Sequence, residues 1–338
     1  MHLLIDAIAI IVLAILIDHF IGELPNSLHP LRWMGNLLSA IDRHIKDRRS
    51  WKATAAGFLS YVLVFVLFCS VSLLIVTFVH DVLERFADPL VAEIGWVVAT
   101  AFIFKITFAV FSFRKHCKPI CDDLDAGKTE DAAAKVQMIV SRNTKGMDAE
   151  HIASSCCETV SENLVDSVYS PVLYYSILGV PGAVMFRCAN LMDAMWGYLN
   201  EKYSDLGHFP ARFDDVLGFV TSRISPYFVA LAGAVLKMDW RAAVPAAKAE
   251  HTKTPSPNSG WSMTAVAAVL GIGMEKKGVY YMGTGPLPTT DDVRRCCRLV
   301  ETASVIYMLV MCVPSMLIGI WIQGYAEIPF HELWGLIF

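Results

Sequence analysis

Residues Ala55–Val79 read AAGFLSYVLVFVLFCSVSLLIVTFV, a run of 25 residues without one charged side chain. At about 1.5 Å per helical residue, such a run more than crosses a hydrocarbon layer of roughly 30 Å. It reads as a membrane-spanning helix, and it sets the class of the protein. The whole chain agrees: of 338 residues 55% are hydrophobic and 18% charged, where soluble domains carry about 25% charged residues. Mean hydropathy is +0.48, so lipid is part of the solvent.

A formal net charge of -4 leaves no basic surplus for phosphate backbones, which excludes nucleic acid as an expected partner. Nine cysteines include the vicinal pairs Cys156–Cys157 and Cys296–Cys297, which close a disulfide only with strain, and all nine read as reduced. His116, Cys117 and Cys121 share a helical face but lack the second spaced pair of a zinc site, so packing explains them better. The apolar run Leu3–Ile17 carries Asp6, has no basic n-region and no small-residue cleavage site, and is expected to stay on the mature chain.

Leu299–Gln323 is nearly as apolar as the opening run, Leu90–Phe113 is a third candidate despite Glu93 and Lys105, and Leu3–Ile21 is a fourth. Leu164–Phe186 and Val216–Leu236 are interrupted by Asp166, Pro171, Gly179, Pro181, Arg223 and Pro226. Broken helices survive at membrane depth where protein or a wet cavity satisfies the freed backbone groups, so these two are expected to line a site. The fold class is therefore all-α: a polytopic integral membrane protein with about four to six membrane segments, some broken or re-entrant.

Arg43, Lys46, Arg48, Arg49 and Lys52 precede the first quoted span, whereas the tail after Gln323 has no Lys or Arg. The positive-inside rule makes that loop cytoplasmic. The expected organisation is a single membrane-embedded catalytic domain over residues 1–338, with cytoplasmic segments at about 22–54, 114–162 and 237–298. Full crossings by both broken stretches would put residues 190–215 outside, so the preferred reading is that they dip into the membrane and return.

Four constellations carry polar chemistry. In HIASSCCETVSENLVD, Glu158, Glu162 and Asp166 fall at i, i+4 and i+8 on one helical stripe, with Asn163 beside them. Each carboxylate at the bilayer centre costs roughly 2.5–3.5 kcal/mol, so the stripe must meet water, cations or a metal. A solvated helix at the membrane surface is the plainer alternative. In RCANLMDAMWGY, Arg187, Asn190 and Asp193 are spaced by threes among apolar neighbours, as in a site or in an interhelical hydrogen-bond knot.

PARFDD supplies Arg212, Asp214 and Asp215, a pattern able to hold Mg²⁺ through carboxylates and phosphate through Arg, though common on ordinary surfaces. TPSPNSGW brings Ser256, Asn258 and backbone amides to a rigid turn where Lys253 adds charge for an anion. His29, Pro30, Arg32 and Gly35 in HPLRWMG follow the first apolar segment; Arg32 there can clamp a phosphate or anchor at headgroups. Neither GxxxxGK[ST] nor a strand-borne GxGxxG is present.

Taken in this order, HPLRWMG, SRNT at Ser141–Thr144, ETVSENLVDSVYSP, RCANLMDAMWGY, ARFDD, SPNSG and YYMG at Tyr280–Gly283 resemble the adenosylcobinamide-phosphate synthase family, CobD/CbiB, over most of the chain. It departs from that pattern at Gly22–Pro25, where the family shows Gly-Asp-Pro, and at Asn143, which replaces an Asp. The resemblance implies a cell-membrane, multi-pass ligase with its active site facing the cytoplasm. It implies the use of ATP and Mg²⁺ to join adenosylcobyric acid, a corrinoid, to an aminoalcohol such as 1-amino-2-propanol or its O-phosphate. Other cobalamin-assembly membrane enzymes are expected neighbours.

On that reading Glu158, Glu162 and Asp193 are expected to be catalytic, and Glu158, Glu162, Asp214 and Asp215 to serve the metal. Arg32, Arg212 and Lys253 would bind phosphate; Asn163, Asn190 and Asn258 would orient substrate; His29, Asp166, Arg187 and Ser256 would line the binding site. A secondary transporter of a small anion is the rival, since charges on broken helices are how such proteins hold substrate. A membrane scaffold for other enzymes is a third reading.

Overall fold

The computed structural model describes residues 2–45, 49–198 and 200–325. Lys46 and Arg48 of the basic cluster, and the tail beyond Tyr325, lie outside them. Helices make up 76% of the protein, which fits the expected all-α class. The element the sequence did not announce is one antiparallel hairpin, β1 (Met274–Lys276) and β2 (Tyr280–Met282).

The quoted run lies inside α3 (Trp51–Phe86), after α1 (His2–Phe20) and α2 (Pro30–His44). Ser50 caps α3 by accepting from the Lys52 N–H at 3.2 Å. Phe58, Leu63, Val66, Leu67, Leu74 and Phe78 stand exposed on it, as expected where lipid covers the surface. On its inner side the Tyr61 hydroxyl donates to the Met185 carbonyl at 3.1 Å.

The third expected span is shorter than Leu90–Phe113. Helix α4 (Pro89–Lys105) ends at Lys105, and α5 starts only at Ser112 (Ser112–Asp125). The cause is charge. Lys105 is 2% exposed and lies 2.7 Å from Glu23 and 3.3 Å from Asp18. The other Asp18 oxygen accepts the Val110 and Phe111 N–H groups, so two donors that a continuous helix would have used are turned onto α1.

After α6 (Thr129–Val136), the centre of the molecule is α7 (Ala149–Leu164), which runs through a π-helical turn (Val165–Tyr169) into α8 (Ser170–Trp196). In that turn the Ser170 N–H donates to the Val165 carbonyl, one residue further back than an α-helix allows. The carbonyls so displaced find other donors: Arg187 Nη1 reaches Asp166 O at 3.1 Å, and the Ala109 N–H reaches Ser167 O at 3.0 Å. Helix α8 breaks at Gly179, whose φ of 65° and ψ of -151° suit glycine, two residues before Pro181.

The second interrupted stretch divides at a different place from the one its composition indicates. Helix α9 (His208–Leu217) bends by 43° into α10 (Phe219–Val235) at Gly218, while Pro226 sits inside α10. Helix α11 (Ala243–Glu250) packs with α10 and α12 (Ser259–Leu270), α12 packs with α7 and α10, and α13 (Thr290–Tyr325) closes the core against α7, α8 and α10. Tyr169 and Tyr307 stack at 3.8 Å, with the Tyr307 hydroxyl donating to the Tyr169 carbonyl, so the π turn is pinned to α13. Leu299–Gln323 lies within α13, where Leu309, Val310, Leu317 and Ile318 are exposed.

By length and composition Trp51–Phe86 and Ala149–Trp196 can each cross a membrane, and the bent pair α9–α10 makes a third if it counts as one span. The eight cysteines with described side chains are buried free thiols.

Candidate active site

Two cavities meet at Glu162. The smaller, of about 330 Å³, is walled by Ser141 and Arg142 from the loop after α6, by Glu158, Thr159, Glu162 and Asn163 of α7, by Thr254–Ser256 and Ser259, and by Lys276 and Tyr280 of the hairpin. The larger, of about 530 Å³, is lined by Glu162, Asp166, Asp193, Asp214 and Asp215, with Arg212, His208, Tyr198, Tyr203 and residues 255–259 completing the wall. Glu162, Pro255, Ser256 and Ser259 belong to both.

Three separated segments of sequence thus deliver five carboxylates to one space, by way of α7 with its π turn, the end of α8, and α9. The acids do not bring three oxygens within 4.8 Å of one another; they ring the cavity instead of closing on one point. One Asp214 oxygen is buried with no hydrogen-bond partner among the described residues. A buried acceptor left so costs about 1–3 kcal/mol unless a donor or cation comes to it. Arg212 sits at the rim, 73% exposed and 3.8 Å from Asp215. Arg187 lies behind the wall, its Nη1 on the Asn190 side-chain oxygen at 3.1 Å as well as on the π turn.

Glu158 is differently placed. It is 1% exposed, and both its oxygens are engaged: Arg142 donates to both, Ser154 Oγ donates to one at 2.9 Å, and the Tyr280 hydroxyl to the other at 2.7 Å. Burial and the Glu158 carboxylate push the Tyr280 hydroxyl well above its usual range, so it stays protonated and donates. Burial opposes the charge on Arg142, yet the Glu158 carboxylate overrides it and raises the guanidinium's pKa. The Arg142–Glu158–Tyr280 knot ties loop, helix and hairpin together.

Asn258 is likewise a tie. Its side-chain oxygen accepts from Ser222 at 3.1 Å and Arg223 at 3.0 Å, and its amide donates to the Asp215 carbonyl at 2.8 Å, fixing the Ser256 turn to α9 and α10. Asn163 holds Thr159 O and accepts from Ser167 within its own helix while facing the smaller cavity.

Five expected site residues line neither cavity: Arg187, Asn190, Lys253, His29 and Arg32. Lys253 pairs with Glu250 at 3.0 Å. His29 caps α2 and meets Glu23 at 3.1 Å, and Arg32 is exposed on α2. The sequence reading in turn passed over Arg142, Lys276 and Tyr280. Arg142 and Tyr280 stand within SRNT and YYMG, whose order was legible while their individual roles were not. The zinc idea at His116, Cys117 and Cys121 finds no support: among the described residues the trio with ligand atoms close enough for a metal is His80, Asp81 and Glu84, toward the other end of α3.

This geometry defines a class: a helical membrane protein whose polar residues surround a two-chambered, carboxylate-rich pocket. Comparison with known proteins makes the assignment specific. The family described as CobD/Cbib protein matches residues 11–300, and the chain belongs to that family, whose place is in cobalamin biosynthesis. A Methanothermobacter thermautotrophicus protein named "Probable cobalamin biosynthesis protein CobD" is 35% identical over 276 residues, covering 82% of this chain and 86% of its own. Proteins of the same name from Methanocaldococcus jannaschii (33% identical; 89% and 96% covered) and Thermococcus kodakarensis (35%; 88% and 94%) are similar over nearly their whole length. No solved structure matches the chain.

Proposed function

We propose that the chain is an ATP-dependent amide ligase that joins adenosylcobyric acid, through a propionate carboxylate, to an aminoalcohol or its O-phosphate. The observation that carries this reading is Glu162, shared by a chamber ringed with carboxylates and a chamber that holds cations and hydroxyls. A ligase of this kind must hold two reactants on either side of the group that takes up a proton.

A carboxylate is a poor acyl donor and needs a leaving group first. In the proposed reaction a substrate carboxylate oxygen bonds to the γ-phosphorus of ATP and the bond to the β-phosphate oxygen breaks, releasing ADP. The amine nitrogen then bonds to the acyl carbon, its proton passes to Glu162, and phosphate leaves. Asp193, Asp214 and Asp215 suit Mg²⁺: they are hard oxygen donors, one Asp214 oxygen lacks a partner, and this ion is usually held by one or two carboxylates plus substrate phosphates. When bound, the ion would neutralise phosphate charge. Arg212 meets phosphate at the rim, while Asn258 and Asn190 hold the walls in position. Glu158 acts through Arg142 as a positioning residue. Arg32, His29 and Lys253 keep no part in this scheme.

Purified protein in detergent, given ATP, adenosylcobyric acid and the amine, is expected to release ADP only when both other substrates are present. ATP consumption independent of them, or counterflow of a small anion into vesicles without ATP, would overturn the ligase in favour of the transporter.

A further inference from the structure

The smaller cavity holds two cations of unlike standing. Arg142 is spent, its guanidinium on both oxygens of Glu158. Lys276 lines the same cavity, half-buried, and no carboxylate of the described residues lies within ion-pair distance of its ammonium. The charges beside it in sequence are all matched. Glu275 meets His151 at 3.1 Å, and Lys277 meets Asp148 at 3.3 Å, where burial is outweighed by the His151 N–H groups and Lys277, holding the Asp148 carboxyl at about 2.

The hairpin explains how Lys276 escapes that pairing. Side chains alternate across a strand, so Glu275 and Lys276 point to opposite faces. Lys276 is paired across the strands with Tyr280, and cross-strand partners share a face. The turn between them closes through the Val279 N–H on the Lys276 carbonyl at 2.8 Å, with Gly278 at a φ of 75°. Tyr280 is anchored by its hydroxyl to buried Glu158, which fixes the face that Lys276 presents. The Glu162 carboxylate feels the Lys276 charge across the cavity without pairing with it, which leaves the ammonium open to an incoming anion, and hydroxyls of Ser141, Thr254 and Ser256 share its wall.

We propose that Lys276 is the specificity-determining cation of the smaller cavity, holding a phosphate-sized anionic substituent of the amine substrate while Glu162 faces the amine. This rests on the ligase reading. The cavity of about 330 Å³ suits a small molecule and not a corrinoid, so the amine partner is its occupant. Lys is a point charge for phosphate, and a neutral alcohol at the same place leaves it unmatched.

The test is a ratio. In wild type, kcat/KM is measured for 1-amino-2-propanol O-phosphate and for unphosphorylated 1-amino-2-propanol. Lys276→Gln is expected to lower the ratio of the two at least tenfold, and Lys276→Arg to restore most of it; an unchanged ratio overturns the proposal. Should Lys276→Gln fail to fold, wild-type protein is acylated with an amine-directed reagent in the presence and absence of inorganic phosphate, and peptide mapping follows residue 276. Protection by phosphate supports the assignment, and equal labelling overturns it. Absence of any ATP-dependent turnover in wild type would instead break the ligase reading, and the labelling experiment would still decide whether Lys276 holds an anion.

Discussion

Two long helices of this protein are built from the same apolar vocabulary and spend it in opposite ways. Trp51–Phe86 runs 36 residues with a window of mean hydropathy 3.0, of which 17% is buried inside the protein; Ala149–Trp196 runs 48 residues at 1.4, with 56% buried. The first turns its side chains outward to lipid. The second gives up hydropathy for Glu158, Glu162, Asp166, Arg187 and Asp193, and it must then be enclosed by α12, α13 and the hairpin to make those charges tolerable. Hydropathy finds the helix that faces lipid, while polarity inside a weaker apolar run finds the helix that lines the candidate site.

The comparison breaks first at Glu162. If the enclosed helix carries the chemistry, Glu162→Gln lowers kcat by about 10²–10⁴-fold, the usual range for a lost proton-transfer group, while the melting temperature in detergent stays close to wild type. A variant with full turnover would return the helix to a structural role. Next comes the buried ion pair. Arg142→Ala leaves Glu158 charged and 1% exposed without its guanidinium, which is expected to cost roughly 3–5 kcal/mol, read by denaturant titration in micelles.

A matched pair of leucines sharpens the contrast. Leu164, fully buried at the end of α7, is expected to cost about 2–5 kcal/mol as Leu164→Ala. Leu63→Ala on the exposed face of α3 stays within about 0.5 kcal/mol. Equal losses would mean that both helices are packed alike.

The smallest effect concerns Asp148, whose folded pKa of about 2 lies below the value near 3.9 of an unfolded Asp. Its stabilising contribution is complete above the unfolded value and is lost as pH falls through the folded one. The stability difference between wild type and Asp148→Asn should therefore shrink as pH drops from 5 to 2, which melting curves at matched pH would show.

The lipid-facing half of the fold was legible because it depends on local composition: an uncharged run such as Ala55–Val79 has few ways to fold in a bilayer. Leu90–Phe113 was overextended because nothing near Lys105 in sequence reveals that Asp18 and Glu23 will take its charge. Within the candidate site, the acids were readable from their spacing and from the expense of desolvating them. Their partners were not. Arg142 lies 16 residues from Glu158 and Tyr280 lies 122 away, so only the folded chain reveals that Glu158 is occupied and Glu162 open. The hairpin escaped notice because its strands are three residues each, too short for alternation to register.

The π turn at Val165–Tyr169 carries a consequence for how this sequence can change. It amounts to one surplus residue wound into an otherwise regular helix. Because the wide turn takes up that residue, deleting one there would leave the downstream side chains in phase, whereas one removed elsewhere in α7 would rotate all that follows by about 100°, since a helix turns once in 3.6 residues. Arg187, Asn190 and Asp193 would then swing round together, so single-residue changes of length along this helix keep its two halves in register within the turn and not beside it.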